Sequence, residues 1–400
     1  MELIRLGGVS GDRSCKKLNK MAFLLVRAGS RLKISIPPSK VGTKGRFIAD
    51  LRVIREHSLT HSAGTTVKTK RTSFGTFLAL ITALAFVVPA TAQTASKRSG
   101  EEVTWPSVVC RGPKCEPITA KGWLFAKPGQ TGVVIVSHGS IGVDYRVFDR
   151  ADHLQSAGYA ALVVDHWGPR GIGEVLSDLV NASSKGASDF NIALDTYTAA
   201  SWLRRERNFE RVGAIGASFG GGAQVVIQQR WAMQTVEKTY EYHYKKPFVA
   251  RPLDAQVGLY GFCGYRNKVR DAFNGAPLLL INGDRDEMDP AAMCEKLVPW
   301  MNERGGNVRQ VTLKGHYHSF DARESATYSP RIIHTGKCDL VQDEKGVTDQ
   351  ATGEFSAGTG VEPLLAVIKK CGTARGATNG HSGNPNVAVP QWLAFFKEHM

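Results

Sequence analysis

Residues 211–223, Arg-Val-Gly-Ala-Ile-Gly-Ala-Ser-Phe-Gly-Gly-Gly-Ala, constrain the fold of this chain more than any other stretch. Val212 to Ile215 is a short apolar run of the kind that forms a buried strand. Gly216-Ala217-Ser218-Phe219-Gly220 follows at once, and apolar positions at Ala223, Val225, Val226 and Ile227 then open a helix. A G-x-S-x-G between a strand and a helix is a nucleophile elbow, a turn so tight that a Cβ two residues before or after the serine would strike its neighbour. The Ser218 hydroxyl is thereby held clear of the sheet at a helix N-terminus, where unpaired N–H groups favour developing negative charge.

The rest of the chain alternates in the same way. Apolar runs at 119–125, 131–136, 160–164, 255–260, 277–281 and 308–313 read as strands. Periodic stretches at 147–156, 188–207, 290–302 and 390–399 read as helices. Residues 93–115 read as loop-like, and 231–250 as a surface excursion rich in Tyr, Lys and Gln. Strands alternating with helices predict an α/β class, a mostly parallel, doubly wound sheet flanked by helices. In such sheets sites form outside the carboxyl ends of the strands. The conspicuous polar clusters fall at those ends: Ser137-His138-Gly139-Ser140-Ile141, Asp165-His166-Trp167 with Arg170, Ser218, Asp284-Arg285-Asp286, and His316-Tyr317-His318.

A serine needs an adjacent base, and the base an orienting acid. On this architecture the order along the chain is Ser, acid, His. Ser218, Asp286 and His318 satisfy it, each after a different strand. Asp284 and Asp289 compete for the acid; His316, His334 and His381 compete for the base. The oxyanion would be held by the Phe219 N–H and by an amide at Ser140 or Ile141. Arg170 is read either as the loop partner of Asp165 or as a contact to an acidic substrate group. Trp167 and His138 are candidate substrate contacts, with a structural role for His138 as the plainer alternative. No carboxylate or cysteine cluster shows metal-ligand spacing.

The net charge of +15 is concentrated at one end. Residues 1–72 carry 16 Lys/Arg against 4 Asp/Glu, a net of +12, which leaves +3 for the other 328 residues. The arm lacks the interleaved aromatics that stack on nucleic-acid bases, so no nucleic-acid partner is expected. Lys68, Lys70 and Arg71 instead precede an uncharged stretch, 73–92, with an apolar centre at 77–88 and a small-residue ending, Ala90-Thr91-Ala92. That is the form of a secretory signal peptide, too short at its apolar centre to be a membrane anchor. The expectation is cleavage after Ala92 and a periplasmic or secreted protein with no stable membrane span. Residues 1–72 are then an upstream extension absent from the mature chain, and 93–400 is one α/β domain. Six cysteines remain beyond the signal, an even number suited to an oxidising compartment. The preferred pairing is Cys110–Cys115, Cys338–Cys371 and, by elimination, Cys263–Cys294, with free buried thiols at 263 and 294 as the alternative. Residues 322–385 are polar and glycine-rich and longer than an ordinary loop, an insertion before the last helix.

Taken together, His138-Gly139, Asp165 with Pro169-Arg170-Gly171, Gly216-Ala217-Ser218-Phe219-Gly220, Gly283-x-x-Asp286 and His318-x-Phe320 resemble the dienelactone hydrolase branch of the α/β-hydrolases. The resemblance spans roughly residues 117–322 and the final helix. It implies the α/β-hydrolase fold, Ser218 as nucleophile, Asp286 as acid, His318 as base, and cofactor-free hydrolysis of an ester or lactone. Dienelactone hydrolases proper carry cysteine where this chain has Ser218, and the 322–385 insertion is not part of their pattern.

The function expected is hydrolysis of a small-molecule carboxylic ester or lactone through an acyl-enzyme. A small-peptide serine peptidase of the prolyl-oligopeptidase type is the competing enzyme reading, although no propeller-length domain precedes the elbow. A catalytically silent binding protein on the same scaffold is the non-enzyme alternative. The sequence leaves the oligomeric state open.

Overall fold

The structure, a computed structural model of the 400-residue chain, describes residues 100–173, 179–358, 361–372 and 374–400. The basic extension, the signal peptide and its cleavage after Ala92 lie outside the described residues.

The described chain opens with a hairpin, β1 (Glu101–Arg111) and β2 (Lys114–Phe125), paired antiparallel with Cys110 opposite Cys115. This corrects the loop-like reading for residues 101–115, while 93–99 lie outside the described residues. Val103, Trp105 and Ser107 are buried while Glu102, Thr104 and Pro106 are exposed, the two-residue period of a half-buried strand. Then come β3 (Gly132–Ser137), α1 (Tyr145–Ser156), β4 (Ala160–Asp165), α2 (Leu179–Ser184), α3 (Asp189–Glu206), β5 (Arg211–Ala217) and α4 (Phe219–Ile227). After them follow α5 (Arg230–Tyr244), β6 (Gln256–Leu259), β7 (Tyr265–Asn267), β8 (Pro277–Gly283), α6 (Ala291–Asn302) and β9 (Asn307–Leu313).

Eight strands form the main sheet in the order β1-β2-β4-β3-β5-β6-β8-β9. Pairing is antiparallel from β1 to β4 and parallel from there to β9. The central strands are buried on both faces, as continuous β-branched runs require. Alternate residues of β3 serve the two layers. Val134 and Val136 pack with Val147 and Leu154 of α1, whereas Val133 and Ile135 pack with Leu194 and Tyr197 of α3. The expected surface excursion at 231–250 is instead largely helix α5. Ala232, Val236 and Tyr240, four apart, lie buried against the hairpin side of the core.

Beyond β9 the chain forms β10 (Thr327–His334), β11 (Leu340–Gln342), β12 (Gly346–Asp349), β13 (Phe355–Ala357), α7 (Val361–Cys371), β14 (Ala374–Asn379) and the closing α8 (Val389–His399). The 322–385 insertion is therefore structured. β10 pairs with β14, while β13, β12 and β11 make a small sheet whose edge recruits β7 in parallel. Cys338, Leu340, Val347 and Val367 give it a core of its own. The disulfides are Cys110–Cys115, Cys263–Cys294 and Cys338–Cys371, the preferred pairing. Among the described residues no helix is long and apolar enough to cross a membrane.

Candidate active site

Ser218 sits between β5 and α4 with φ 53° and ψ −116°, a left-handed backbone that costs a non-glycine residue about 1–3 kcal/mol. The glycines beside it are sterically required. A Cβ on Gly216 would lie 2.1 Å from the carbonyl oxygen of Gly220, and one on Gly220 would lie 2.8 Å from that of His138.

The three polar ends expected to meet do so. Ser218 Oγ lies 3.2 Å from His318 Nε2, and His318 Nδ1 lies 2.9 Å from Asp286 Oδ2. The other oxygen of Asp286 accepts the backbone N–H groups of Met288 and Asp289 at 2.8 and 2.9 Å, which fixes the carboxylate on its loop. His318 and Asp286 are both buried. Burial works against a charge on His318, but the adjacent Asp286 carboxylate more than offsets it and raises the imidazole above 6.5. Tyr260 packs edge-on against the His318 ring, and its hydroxyl donates to Asp321 at 2.7 Å.

The competing residues have other places. Asp284 accepts the Gly315 N–H at 2.6 Å and serves as a turn residue. Asp289 Oδ2 is 3.6 Å from His318 Nδ1, farther than Asp286. Burial, reinforced by Asp286 and opposed by His318, pushes the Asp289 carboxyl up to about 8. His316 packs edge-on to Phe320, while His334 Nδ1 and His381 Nδ1 accept local N–H groups at Gly336 and Gly383.

Ser140 and Ile141 line the cavity in front of Ser218. Phe219 opens α4, so its N–H is among those a helix leaves without an intrahelical partner. The loop that carries Ser140 is shaped from below. His138 Nε2 accepts the His166 N–H at 3.0 Å, so the ring proton resides on Nδ1 and is donated to the Gly139 carbonyl at 2.8 Å. Burial, with His166 alongside, pushes His138 down to about 3, so it stays neutral. Trp167 Nε1 donates to the Ser140 carbonyl at 3.2 Å.

Three residues read as candidate substrate contacts are placed elsewhere. His138, Trp167 and Arg170 are buried, and none lines the cavity. Arg170 does not pair with Asp165. It grips Asp195 with two N–H donors at 2.8 and 3.0 Å, while Asp165 pairs with Lys121 and accepts the Gly168 N–H. His166 and Ser107 complete the shell around Asp195. The cavity holds about 130 Å³, and its walls include Arg146, Met288, Ser319 and Asn379, which sequence reasoning missed. Ser319 is adjacent to His318 and could have been suspected. Nothing local marks Asn379, which comes from the insertion. Among the described residues no group of three His, Cys, Asp or Glu is placed to hold a metal.

A strained serine between strand and helix, on a mostly parallel sheet with acid and histidine loops after later strands, defines an α/β-hydrolase. The family model for dienelactone hydrolases matches residues 121–336, more than half of the chain, and the chain belongs to that family. Similar solved structures include a dienelactone hydrolase from Anabaena variabilis, 24% identical, covering 54% of this chain and 88% of that one with a TM-score of 0.36. An esterase from Pyrococcus furiosus is 15% identical, covering 55% and 85%, with a TM-score of 0.38. A dienelactone hydrolase-like promiscuous phosphotriesterase from metagenomic libraries is 17% identical, covering 56% and 86%, with a TM-score of 0.39. No curated protein matches the chain.

Proposed function

We propose that the protein hydrolyses small-molecule carboxylic esters or lactones with Ser218 as nucleophile, His318 as base and Asp286 as orienting acid. One observation supports this reading above the others: the continuous line from Ser218 Oγ through His318 to Asp286 at 3.2 and 2.9 Å. Ser218 attacks the carbonyl carbon while its proton passes to His318 Nε2. The oxyanion rests against the Phe219 N–H and an amide at Ser140 or Ile141. His318 returns the proton to the departing alkoxide, leaving Ser218 acylated. Water, deprotonated by His318, then releases the acid and restores the serine. The scheme calls for no cofactor.

Replacing Ser218 by Ala should lower kcat/KM on 4-nitrophenyl acetate by about 10⁴-fold or more, with the circular dichroism spectrum unchanged. A fluorophosphonate should label the native protein on the Ser218 peptide and leave the variant unlabelled. An unchanged rate in the variant removes the reading. We further propose export to the periplasm or beyond. The three disulfides are compatible with an oxidising compartment. N-terminal sequencing of the natural product should find Gln93 first, and a start near Met1 would refute the proposal.

A further inference from the structure

The family match ends at residue 336, yet the cavity at Ser218 has a wall from beyond it. The last strand of the insertion, β14, runs directly into the His318 loop. Asn379 forms a parallel bridge with His318, and the Gly380 N–H donates to the His318 carbonyl at 2.9 Å. On the far side the Thr378 N–H donates to Glu287 at 3.2 Å, next to the loop that carries Asp286. Gly380 has φ +122°, and a Cβ there would lie 2.7 and 2.8 Å from the carbonyl oxygens of Glu324 and Ser325. The backbone on both sides of Asn379 is thus fixed. Its side chain is exposed, lines the cavity, and makes no hydrogen bond among the described residues.

The chemistry of the reaction says which part of a substrate this carboxamide meets. His318 must hand its proton to the departing alkoxide, so the alcohol portion of an ester lies on the His318 side. The acyl oxygen lies on the opposite side, toward Phe219 and Ser140. Asn379 is bridged to His318 and therefore flanks the alcohol portion. A carboxamide offers both a donor and an acceptor, which suits a hydroxyl.

We propose that Asn379 is a specificity-determining residue that recognises a second hydroxyl on the alcohol portion of the ester, so that the preferred substrates are esters of polyhydric alcohols rather than of plain alkanols. This rests on the serine-hydrolase reading above. The insertion thereby supplies a substrate-binding residue to a site whose other parts come from the main sheet.

The test compares 2-hydroxyethyl butyrate with propyl butyrate, which differ by a hydroxyl in place of a methyl group. Both give the same butyryl-enzyme, so only acylation can tell them apart. The native protein should favour the hydroxyethyl ester in kcat/KM. Asn379→Ala should lower the ratio of the two kcat/KM values by about three- to tenfold, the value of one hydrogen bond. Asn379→Ser should restore part of it. Equal losses on both esters, or none on either, overturn the assignment to Asn379 while leaving the hydrolase standing. If the native protein hydrolyses neither ester and resists the fluorophosphonate, the hydrolase reading falls and takes this inference with it. The thermal midpoint of each variant identifies any loss caused by unfolding. Should Asn379→Ala unfold, Asn379→Ser alone must still reduce the hydroxyethyl preference, and an unchanged preference counts against the proposal.

Discussion

The rim of the main sheet and the insertion meet at His318, but they are held in place by different means. Beneath the rim, Arg170, His166 and Ser107 converge on Asp195, and all four are buried. Despite the cost of burial, Arg170 and His166 hold the Asp195 carboxyl at about 2. The insertion has a smaller core, a disulfide, and an acid, Asp339, shared between Arg266 and the half-exposed Lys296. In the rim, a chain of buried polar groups fixes the loops that carry His138 and Ser140. In the insertion, a covalent staple joins strand-side Cys338 to Cys371 of α7 within the small core. The first arrangement is intolerant, since removing one partner leaves a charge in the interior. The second is expected to yield locally.

The largest effect on this comparison is expected at Arg170. Replacing it by Ala leaves Asp195 buried without its main counter-charge and should cost about 3–5 kcal/mol in urea unfolding. Where the variant remains folded, KM for a neutral ester should stay close to native. A raised KM for anionic esters with native stability would return Arg170 to the substrate and break the contrast.

A smaller effect is expected from the paired change Cys338→Ser and Cys371→Ser. Loss of a disulfide across 33 residues should cost about 2–4 kcal/mol, felt within the insertion. Amides of β11, β12 and α7 should then exchange faster in hydrogen-exchange experiments, while those of β5 and α4 keep their protection. Equal loss of protection in both would mean that rim and insertion unfold as one unit.

The same contrast explains how much could be read from the sequence. The elbow was legible because its constraint is local: only glycine fits at 216 and 220, and the strand and helix flank it directly. The order Ser218, Asp286, His318 was legible because a parallel sheet brings its strand ends to one rim. What failed was pairing at long range. Local spacing offers Arg170 either Asp165, five residues away, or a substrate group, whereas its partner is Asp195 within α3, 25 residues away. β1 was hidden by its polar residues, although the alternation of Val103 and Trp105 was there to find. The insertion was opaque because β11 borrows its edge partner, β7, from a stretch more than seventy residues earlier. Asn379 acquires its place through the pairing of β14 with β10 and its bridge to His318, neither of which is local in the sequence.

The smallest expected effect concerns the two acids beside His318. In the mechanism we propose only the neutral imidazole accepts the serine proton, so kcat/KM should rise with pH along a limb whose midpoint lies above 6.5, the direction in which Asp286 drives His318. Asp289 adds to that shift from 3.6 Å, farther from the ring than Asp286 at 2.9 Å, and its own carboxyl is pushed up to about 8 by burial, so its share is the smaller one. Asp289→Asn should therefore move the limb toward lower pH by less than about one unit and leave the plateau rate nearly native. A plateau that collapses in Asp289→Asn, with Asp286→Asn nearly silent, would make Asp289 the orienting acid. The 2.9 Å contact of Asp286 and its two backbone donors argue for the opposite outcome, because a carboxylate fixed at both oxygens can hold the imidazole in one tautomer through the whole cycle.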